Sequence, residues 1–435
     1  MNEKELLVMC AEYTLRTPEY NQPPIFRKGK GQYLWDVNGK EYLDMGSGQM
    51  CATLGHNHPR IVEAIKKSCE ELLHSSSVHP PEKSIELAVR LGRLVFPPLK
   101  ASMFLSTGSE ANEVALSIAK KYTEGYEAAS FHISYHGRTA MARTISPSLT
   151  HKGYGPLIPG IFTMPGPYCY RCPIKLTFPD CETVCLNVGF EMLDRWAMGP
   201  VAAVFAEPIF GAAGVIDAPP GYFKLLKKKC EERGILLIFD EMQTGFGRCG
   251  AMFAYEEEGM VPDILTLSKT VGGGITISSL TTSAEIKQTV MDRGFFHSST
   301  HAFDPLPAYV ALAVIDAIEK DNLVQKSKEK GNYLKAGLQK LAKKHLIIGD
   351  VRGRGLLQGI ELVKDRGTKE PAEKETHMVY RHCIEKGLML RTVGMPISHC
   401  TLNFCPSFYV TQEEIETSLN ILDEVLSEVE KKIYA

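Results

Sequence analysis

The chain has 435 residues, a net charge of −2 and a hydrophobic fraction of 44%, which is the composition of a globular protein. This length favours two domains, because single hydrophobic cores stop growing beyond about 250–300 residues. The near-neutral charge gives no sign of a nucleic-acid partner or of binding to an acidic membrane surface. No apolar run approaches the length of a membrane span, and the N-terminus lacks a signal-peptide core, so we expect a cytoplasmic protein.

The first 58 residues predict short strands and turns. Residues 20–45 contain a hairpin signal, Asp36-Val37-Asn38-Gly39, in which Asn-Gly is typical of a tight turn between two strands. We expect this N-terminal segment, 1–58, to pack with the C-terminal part of the chain.

Residues 59–305 alternate between helical and strand patterns. A helix is predicted from Pro59, and further helices at 109–121 and 222–233. Continuous apolar strands are predicted at 102–107, 201–207, 235–241 and 264–268. Strands that are apolar on both faces and alternate with helices are typical of a parallel sheet that helices cover on both sides. This region therefore predicts a large α/β domain.

After residue 305 the pattern changes. Two long helices are predicted at about 308–320 and 323–343, followed by a strand at 401–406 and an amphipathic helix from Thr411. Residues 306–435 therefore predict a smaller α+β domain, which the N-terminal segment completes.

Polar residues follow several of the predicted strands, at the edge where open parallel sheets bind ligands. Thr107, Gly108 and Ser109 open a helix after the first of these strands, and the N–H groups at a helix N-terminus suit a phosphate. The alternative is an ordinary helix cap at Thr107 or Ser109, which this stretch alone would favour.

Two carboxylates end buried strands, Glu207 after VAAVFA and Asp240 after ILLIF. A carboxylate at a buried strand end must be paired. Either each forms a structural salt bridge, or Asp240 holds a cationic ring nitrogen of a ligand.

Lys269 ends another apolar strand and is followed by Gly272-Gly273-Gly274. A lysine with a pKa lowered by desolvation is what Schiff-base chemistry needs, and a surface lysine is the alternative.

Tyr135-His136-Gly137 follows a further apolar stretch, where an aromatic ring could stack on a planar ligand or simply join the core. Together, a phosphate site, an aromatic ring, a carboxylate and a lysine make up the inventory of a pyridoxal phosphate (PLP) site.

The same motifs carry a family resemblance. STGSEAN, YHG, FDEMQTGFGR, LSKTVGGG and STHAFDP occur in the order found in class III aminotransferases, which are PLP enzymes of fold type I. GSGQMCATLGHNHP, PDILTLSK and VRGRGLLQGIELVKDRGTKEPA most resemble the dialkylglycine decarboxylase branch of that family. The resemblance implies a seven-stranded, mainly parallel sheet in the large domain, and a homodimer or dimer of dimers with active sites at subunit interfaces.

The resemblance also implies roles for residues of the site. Lys269 would form the Schiff base and move protons, Asp240 would pair with the pyridine nitrogen, and Gln243 would meet the 3-oxygen of the ring. Thr300 would reach the phosphate in the neighbouring subunit. The residues implied in cofactor binding are Thr107, Gly108, Ser109, Tyr135, His136, Glu207, Asp240, Gln243, Lys269 and Thr300.

The substrate side of the predicted site departs from the family. Gln49 matches a glutamine that the decarboxylase uses near the departing carboxylate, and Met50 follows it, as in that enzyme. Asn403, however, stands where the family has an arginine that grips the substrate carboxylate as a bidentate fork. Either Arg391 or His399 compensates, or the substrate lacks a carboxylate at that position.

Two metal sites are predicted. Cys169, Cys172, Cys181 and Cys185 lie in a predicted Cys-rich insert of the large domain, 166–187. Their spacing can close a tetrahedral zinc site, although unrelated loop cysteines would look the same. The other eight of the twelve cysteines are scattered, as in a reducing compartment. The resemblance implies a potassium or sodium site at Ser77, Thr300, Ala302 and Asp304.

Three functions remain open on the sequence. The first is decarboxylation-dependent transamination, in which an amino acid loses carbon dioxide and its amino group passes to a keto acid or aldehyde. The second is an ordinary class III amine or amino-acid aminotransferase, or an amino-acid epimerase, which breaks the Cα–H bond instead. The third is a cofactor-binding protein without catalysis, against which Lys269, Asp240 and Gln49 together argue.

Overall fold

A computed structural model describes residues 1–16, 22–147, 153–392 and 400–434. In these ranges the helices are α1 (Glu3–Tyr13), α2 (Ser47–Met50), α3 (Pro59–Glu71), α4 (Glu82–Leu94), α5 (Gly108–Thr123), α6 (Ala140–Thr144), α7 (Val184–Trp196), α8 (Tyr222–Glu231), α9 (Ala284–Asp292), α10 (Pro305–Lys320), α11 (Leu323–Lys344), α12 (Glu373–Glu385) and α13 (Gln412–Tyr434). The strands are β1 (Phe26–Lys30), β2 (Tyr33–Asp36), β3 (Glu41–Asp44), β4 (Leu99–Leu105), β5 (Glu127–Phe131), β6 (Ile161–Met164), β7 (Val201–Ala206), β8 (Ile209–Phe210), β9 (Ile216–Asp217), β10 (Leu236–Asp240), β11 (Ile264–Leu267), β12 (Ser278–Ser283), β13 (Ile348–Arg354), β14 (Leu357–Asp365), β15 (Glu370–Pro371), β16 (Leu388–Met389), β17 (Arg391–Thr392) and β18 (Thr401–Phe404).

The largest sheet has seven strands in the order β4-β12-β11-β10-β7-β5-β6. Strand β12 runs antiparallel to both of its neighbours, and the remaining pairs are parallel. The predicted seven-stranded, mainly parallel sheet is therefore confirmed. Its geometry brings the carboxyl ends of β4, β5, β7, β10 and β11 to one edge, together with the start of β12.

Hydrophobic residues fill both faces of this sheet, which explains why its central strands are apolar throughout. In β10, Phe239 packs on one face with Phe223 of α8, and Ile238 packs on the other face with Val114 of α5. Each such side chain contributes about 1.5–3 kcal/mol when it leaves water. The polar residues at the strand ends are therefore held on a rigid, two-sided core.

Two smaller sheets join the two ends of the chain. The order in one is β1-β2-β3-β16, and in the other β13-β14-β18-β17, with β15 paired to β14. The hairpin predicted at Asp36–Gly39 joins β2 to β3, and β3 pairs in parallel with β16, placing Leu43 opposite Leu388. The N-terminal segment thus packs with the C-terminal part, as expected, while the domain boundaries at 58/59 and 305/306 stay a prediction. None of the helices in the described ranges is long and apolar enough to cross a membrane.

Candidate active site

A cavity of about 300 Å³ opens at the carboxyl edge of the seven-stranded sheet. It is lined by every residue for which the sequence predicts a cofactor contact except Thr300: Thr107, Gly108, Ser109, Tyr135, His136, Glu207, Asp240, Gln243 and Lys269. These residues come from five strand ends that are up to about 160 positions apart in the chain, and the sheet brings them together.

The N-terminus of α5, which follows β4, forms one wall of the cavity. Thr107 caps this helix, because its Oγ1 accepts a hydrogen bond from the N–H of Glu110 at 3.2 Å. The first N–H groups of a helix have no partner within the helix and suit an anion. Ser109 Oγ accepts a hydrogen bond from the N–H of Arg138 at 3.0 Å, and a Cβ at Gly137 would lie only 2.2 Å from that Oγ. The close approach of these two loops leaves a cradle of backbone N–H groups and small side chains.

Asp240 is buried at the end of β10, and no lysine or arginine in the described ranges forms a salt bridge with it. Its Oδ2 accepts hydrogen bonds from Asn112 Nδ2 and His136 Nδ1, both at 2.8 Å. Asn112 is held in turn by Thr266, whose hydroxyl donates to the Asn112 Oδ1 at 2.9 Å. The Asn112 amide and the His136 imidazole thus orient the Asp240 carboxylate, which lines the cavity.

Glu207 follows β7 and is also buried. It accepts hydrogen bonds from the N–H of Tyr135 at 2.8 Å and the N–H of Gly211 at 3.3 Å. Burial, reinforced by the nearby charge of Asp240, raises the pKa of Glu207. Its carboxyl group therefore fixes the backbone that carries Tyr135, whose ring is half-buried at the cavity.

Lys269 lies directly after β11 in a 3₁₀ turn, Lys269–Gly272, and its φ of 47° is strained for a residue other than glycine. Ser268 anchors this turn, since its hydroxyl donates to the carbonyl of Ile277 at 2.7 Å. Burial lowers the pKa of Lys269 and outweighs the opposing effect of the Asp240 charge. A lysine with a lowered pKa is a better nucleophile near neutral pH.

The predicted substrate residues, Gln49, Met50 and Asn403, lie outside the set of described side chains that line this cavity. Gln49 is exposed, and its Oε1 accepts a hydrogen bond from Arg391 Nε at 3.1 Å. Asn403 is buried on β18 opposite Arg391 on β17, so the two side chains share one face of the sheet. Among the described residues, nothing bonds to either polar atom of Asn403 or to the Arg391 Nη1. His399, the other cation considered, lies outside the described residues.

Comparison with known proteins places this arrangement in a family. The sequence model "Aminotransferase class-III" matches residues 16–426. The chain belongs to the class III aminotransferase family. An uncharacterized aminotransferase of Schizosaccharomyces pombe is 41% identical over 93% of this chain and 91% of its own length. A leucine/methionine racemase of Thermococcus litoralis is 34% identical over 99% of this chain and 97% of its own length.

A crystal structure of a Bacillus anthracis aminotransferase has the same fold as this class III aminotransferase. Its TM-score is 0.92, at 29% sequence identity over 98% of both chains. The predicted fold of type I is therefore confirmed, whereas a particular closeness to the decarboxylase branch is not shown by these similarities.

Met50 and the four residues predicted to bind an alkali metal lie outside the set of residues that line the cavity. Met50 is buried in an apolar cluster with Ile209 and Cys405, and Thr300 is exposed. Asp304, predicted to bind an alkali metal, instead accepts from His74 Nδ1 and His301 Nδ1, both at 2.6 Å. Ser77 Oγ lies 3.1 Å from the Ser298 Oγ, and Ala302 is buried. The roles of all these residues, and the alkali-metal site, stay predictions.

Asn112 and Cys51 belong to the site but were not predicted from the sequence. Asn112 lies on the buried face of α5 between Ala111 and Val114, so a polar residue within an apolar helical stripe was the available signal. Cys51 lines the cavity and lies near Lys269, but nothing in its local sequence indicated this.

Proposed function

We propose that this class III aminotransferase binds PLP in the cavity and transfers amino groups between amino acids and keto acids. The observation that carries the proposal is the buried carboxylate of Asp240, which Asn112 and His136 orient and which shares the cavity with Lys269. A buried carboxylate to which no lysine or arginine among the described residues bonds is suited to pair with a cationic group of a ligand.

The remaining walls of the cavity fit the other parts of PLP. The α5 N-terminus and the Ser109–Gly137 cradle suit its phosphate, Tyr135 suits the face of its ring, and Gln243 suits its 3-oxygen. Gly211 has no room for a side chain, because a Cβ there would lie 2.2 Å from Gln243 Oε1. When bound, PLP would supply a cationic ring that withdraws electrons from the substrate α-carbon.

Asp240 and Lys269 would then have separate roles. Asp240, held by Asn112 and His136, would keep a proton on the ring nitrogen, because its charge favours the cationic form. Lys269 would hold the cofactor through its aldehyde carbon and later carry a proton to or from the substrate α-carbon. Burial lowers the pKa of Lys269, which favours the neutral amine as a nucleophile and makes proton exchange at Nζ easier.

We assign the substrate carboxylate to Arg391. Asn403 carries no charge, and Arg391 faces it across the β17–β18 ladder with one terminal nitrogen unbonded among the described groups. The guanidinium also lies near enough to affect the pKa of both Lys269 and Cys51. It would bind the carboxylate in a bidentate manner, replacing the family arginine from the neighbouring strand.

Decarboxylation-dependent transamination is the second candidate, and the contact between Gln49 and Arg391 favours it. The amide at this position would contact a carboxylate bound to Arg391, and the bond cleaved is the one held perpendicular to the plane of the ring. Epimerisation is a third outcome at the same α-carbon, which the similarity to the racemase favours.

We further propose a cytoplasmic homodimer or dimer of dimers, in which Thr300 of one subunit completes the phosphate site of the next. Support comes from an apolar surface cavity of about 720 Å³ whose walls include the exposed side chains of Ile85, Val89 and Met291.

We also propose a potassium or sodium ion near Asp304. Indifference of activity to exchanging potassium for sodium or lithium would count against that ion.

One experiment separates the functions. The purified protein is loaded with PLP and incubated with single amino acids plus pyruvate, and alanine, carbon dioxide and the enantiomers of the donor are quantified. Transamination gives alanine without carbon dioxide, decarboxylation of 2-aminoisobutyrate gives both in equal amounts, and epimerisation gives the other enantiomer without alanine. PLP binding without any product would refute catalysis.

A further inference from the structure

The cysteines of the insert 166–187 come together in space, although they are spread over 17 positions of the chain. Cys169, Cys172, Cys181 and Cys185 all line one cavity of about 20 Å³, separate from the active site. All four are free thiols. A cavity of this volume has room for a single water molecule or ion.

Two tight turns present the cysteines to the cavity. The 3₁₀ helix Cys169–Arg171 separates the first pair, and the N–H of Lys175 bonds back to the carbonyl of Cys172 at 3.0 Å. In the second pair, the N–H of Val184 bonds to the carbonyl of Cys181 at 2.9 Å, so that Cys185 falls in the first turn of α7.

The backbone between the second pair is strained. Glu182 and Thr183 have consecutive positive φ angles of 46° and 56°, which residues other than glycine adopt only when their surroundings impose it. This strained turn leads directly into α7, where Cys185 lines the cavity together with the other three cysteines.

We propose that these four cysteines bind one zinc ion as a structural site. Four thiolates arranged as two short-spaced pairs are the ligand set of tetrahedral structural zinc, and soft sulfur ligands exclude magnesium and calcium. Bound thiolates would lie about 3.8 Å apart, as Zn–S bonds of about 2.3 Å require. The sulfurs are more widely spread than this. Among the described residues, one group of three potential ligand atoms lies within 4.8 Å of one another, that of His74, His301 and Asp304, and none of the four cysteines belongs to it. Binding therefore requires the thiols to rotate inward over the cavity.

The ion would stabilise a buried contact between the insert and the C-terminal sheet. Tyr168 and Arg171, which flank Cys169, both bond to the carboxylate of Glu361 on β14. Arg352 Nη1 donates to the same carboxylate at 2.6 Å, and its Nε donates to the carbonyl of Gly214 at 2.7 Å. Because Tyr168 and Arg171 surround a zinc ligand, loss of the ion should loosen this network.

The test is the metal content of the purified full-length protein, prepared under reducing conditions from zinc-supplemented cells. We expect about one zinc per chain. Cys172→Ser and Cys185→Ser should each lose most of it, whereas Cys69→Ser, which changes an exposed cysteine of α3, should keep it. The first two variants should also melt at a lower temperature than Cys69→Ser, because an ion that binds only the folded chain stabilises it.

Cobalt replacement gives a second measurement that does not depend on folded variants. Cobalt added to metal-free wild-type protein should give the strong red-region bands of a tetrahedral thiolate site, and zinc should abolish them at one equivalent. Less than a few tenths of an equivalent of zinc together with no cobalt bands would overturn the proposal. So would iron in place of zinc, two disulfides in the reduced preparation, or zinc that remains in both insert variants.

Discussion

Replacing Arg391 by methionine tests the assignment of the substrate carboxylate. Methionine keeps much of the length of the side chain but removes the guanidinium that faces Asn403 and donates to Gln49. If Arg391 binds the carboxylate, the variant should lose activity toward amino acids while its PLP site stays intact.

The expected loss of activity depends on which hydrogen-bond donors of Arg391 remain for the substrate carboxylate. Its Nε is engaged by Gln49, and its Nη1 is buried with no partner among the described residues, so a carboxylate would take up the terminal nitrogens. Hydrogen bonds to charged groups are worth about 1.5–3 kcal/mol each, which gives about 3–6 kcal/mol for a bidentate pair. Because the Arg391 side chain is only half-buried, we take the lower end of this range. That corresponds to a decrease of about a hundredfold in kcat/KM.

Steady-state kinetics with two classes of donor measure the effect. An amino acid such as alanine presents a carboxylate, whereas an arylalkylamine presents an amino group without one. We expect kcat/KM to fall about a hundredfold for the amino acid and to change little for the amine. The control variant is Arg60→Met, which removes an exposed arginine of α3 that pairs with Asp321.

Two results would refute the assignment. An equal loss for both donors would mean that Arg391 supports the fold or the cofactor site. Unchanged kinetics for both would mean that the carboxylate binds elsewhere, and His399 would then be the next residue to replace.

Three further substitutions test the remaining site residues. Lys269→Ala should abolish turnover and should remove the visible absorbance that borohydride bleaches in the wild-type protein. If peptide mapping of borohydride-reduced wild-type protein finds the label on another lysine, this assignment is wrong. Asp240→Asn should lower kcat by two to three orders of magnitude, since one preorganised electrostatic contact is worth about 2.7–4 kcal/mol, and near-normal turnover would remove Asp240 from the mechanism. Asn403→Arg should lower activity on every carboxylate substrate, because it places a second guanidinium opposite Arg391. Activity that rises on 2-aminoisobutyrate would instead show that the Arg391 assignment is wrong.

The sequence predicted the parts of the site that depend on local pattern. Asp240 and Lys269 each end a short apolar run, and such a run already indicates a buried strand whose last residue reaches the sheet edge. The helix cap at Thr107 is equally local, since its partner Glu110 is three residues away. The sequence STGSEAN was interpreted either as a phosphate site or as an ordinary helix cap. The two interpretations are compatible, because a capped helix still offers its N-terminal N–H groups to an anion.

Contacts between distant segments could not be predicted in this way. Gln49 and Arg391 are 342 positions apart, and Asn112 and Asp240 are 128 positions apart. No periodicity indicates which side chains will meet across such separations. The antiparallel strand β12 was also missed, because its run of serines and threonines does not have the apolar pattern of its neighbours. That strand matters to the site, since Ile277, which immediately precedes its first residue, accepts the hydrogen bond that anchors Ser268.

The origin of each group in the fold explains how substrate preference can change while the cofactor site stays intact. The proposed PLP contacts that line the cavity all follow strands of the seven-stranded sheet, whose two-sided core fixes their positions. The proposed substrate contacts come from α2 and from the β17–β18 pair, which belongs to a different sheet. A change from arginine to asparagine at position 403 therefore alters a wall that the PLP contacts do not share. If the guanidinium of Arg391 supplies the missing charge, the carboxylate enters from a neighbouring strand and is held at a different angle to the ring. Because that angle selects the bond that breaks, the pair formed by Asn403 and Arg391 would determine both the substrate and the type of reaction.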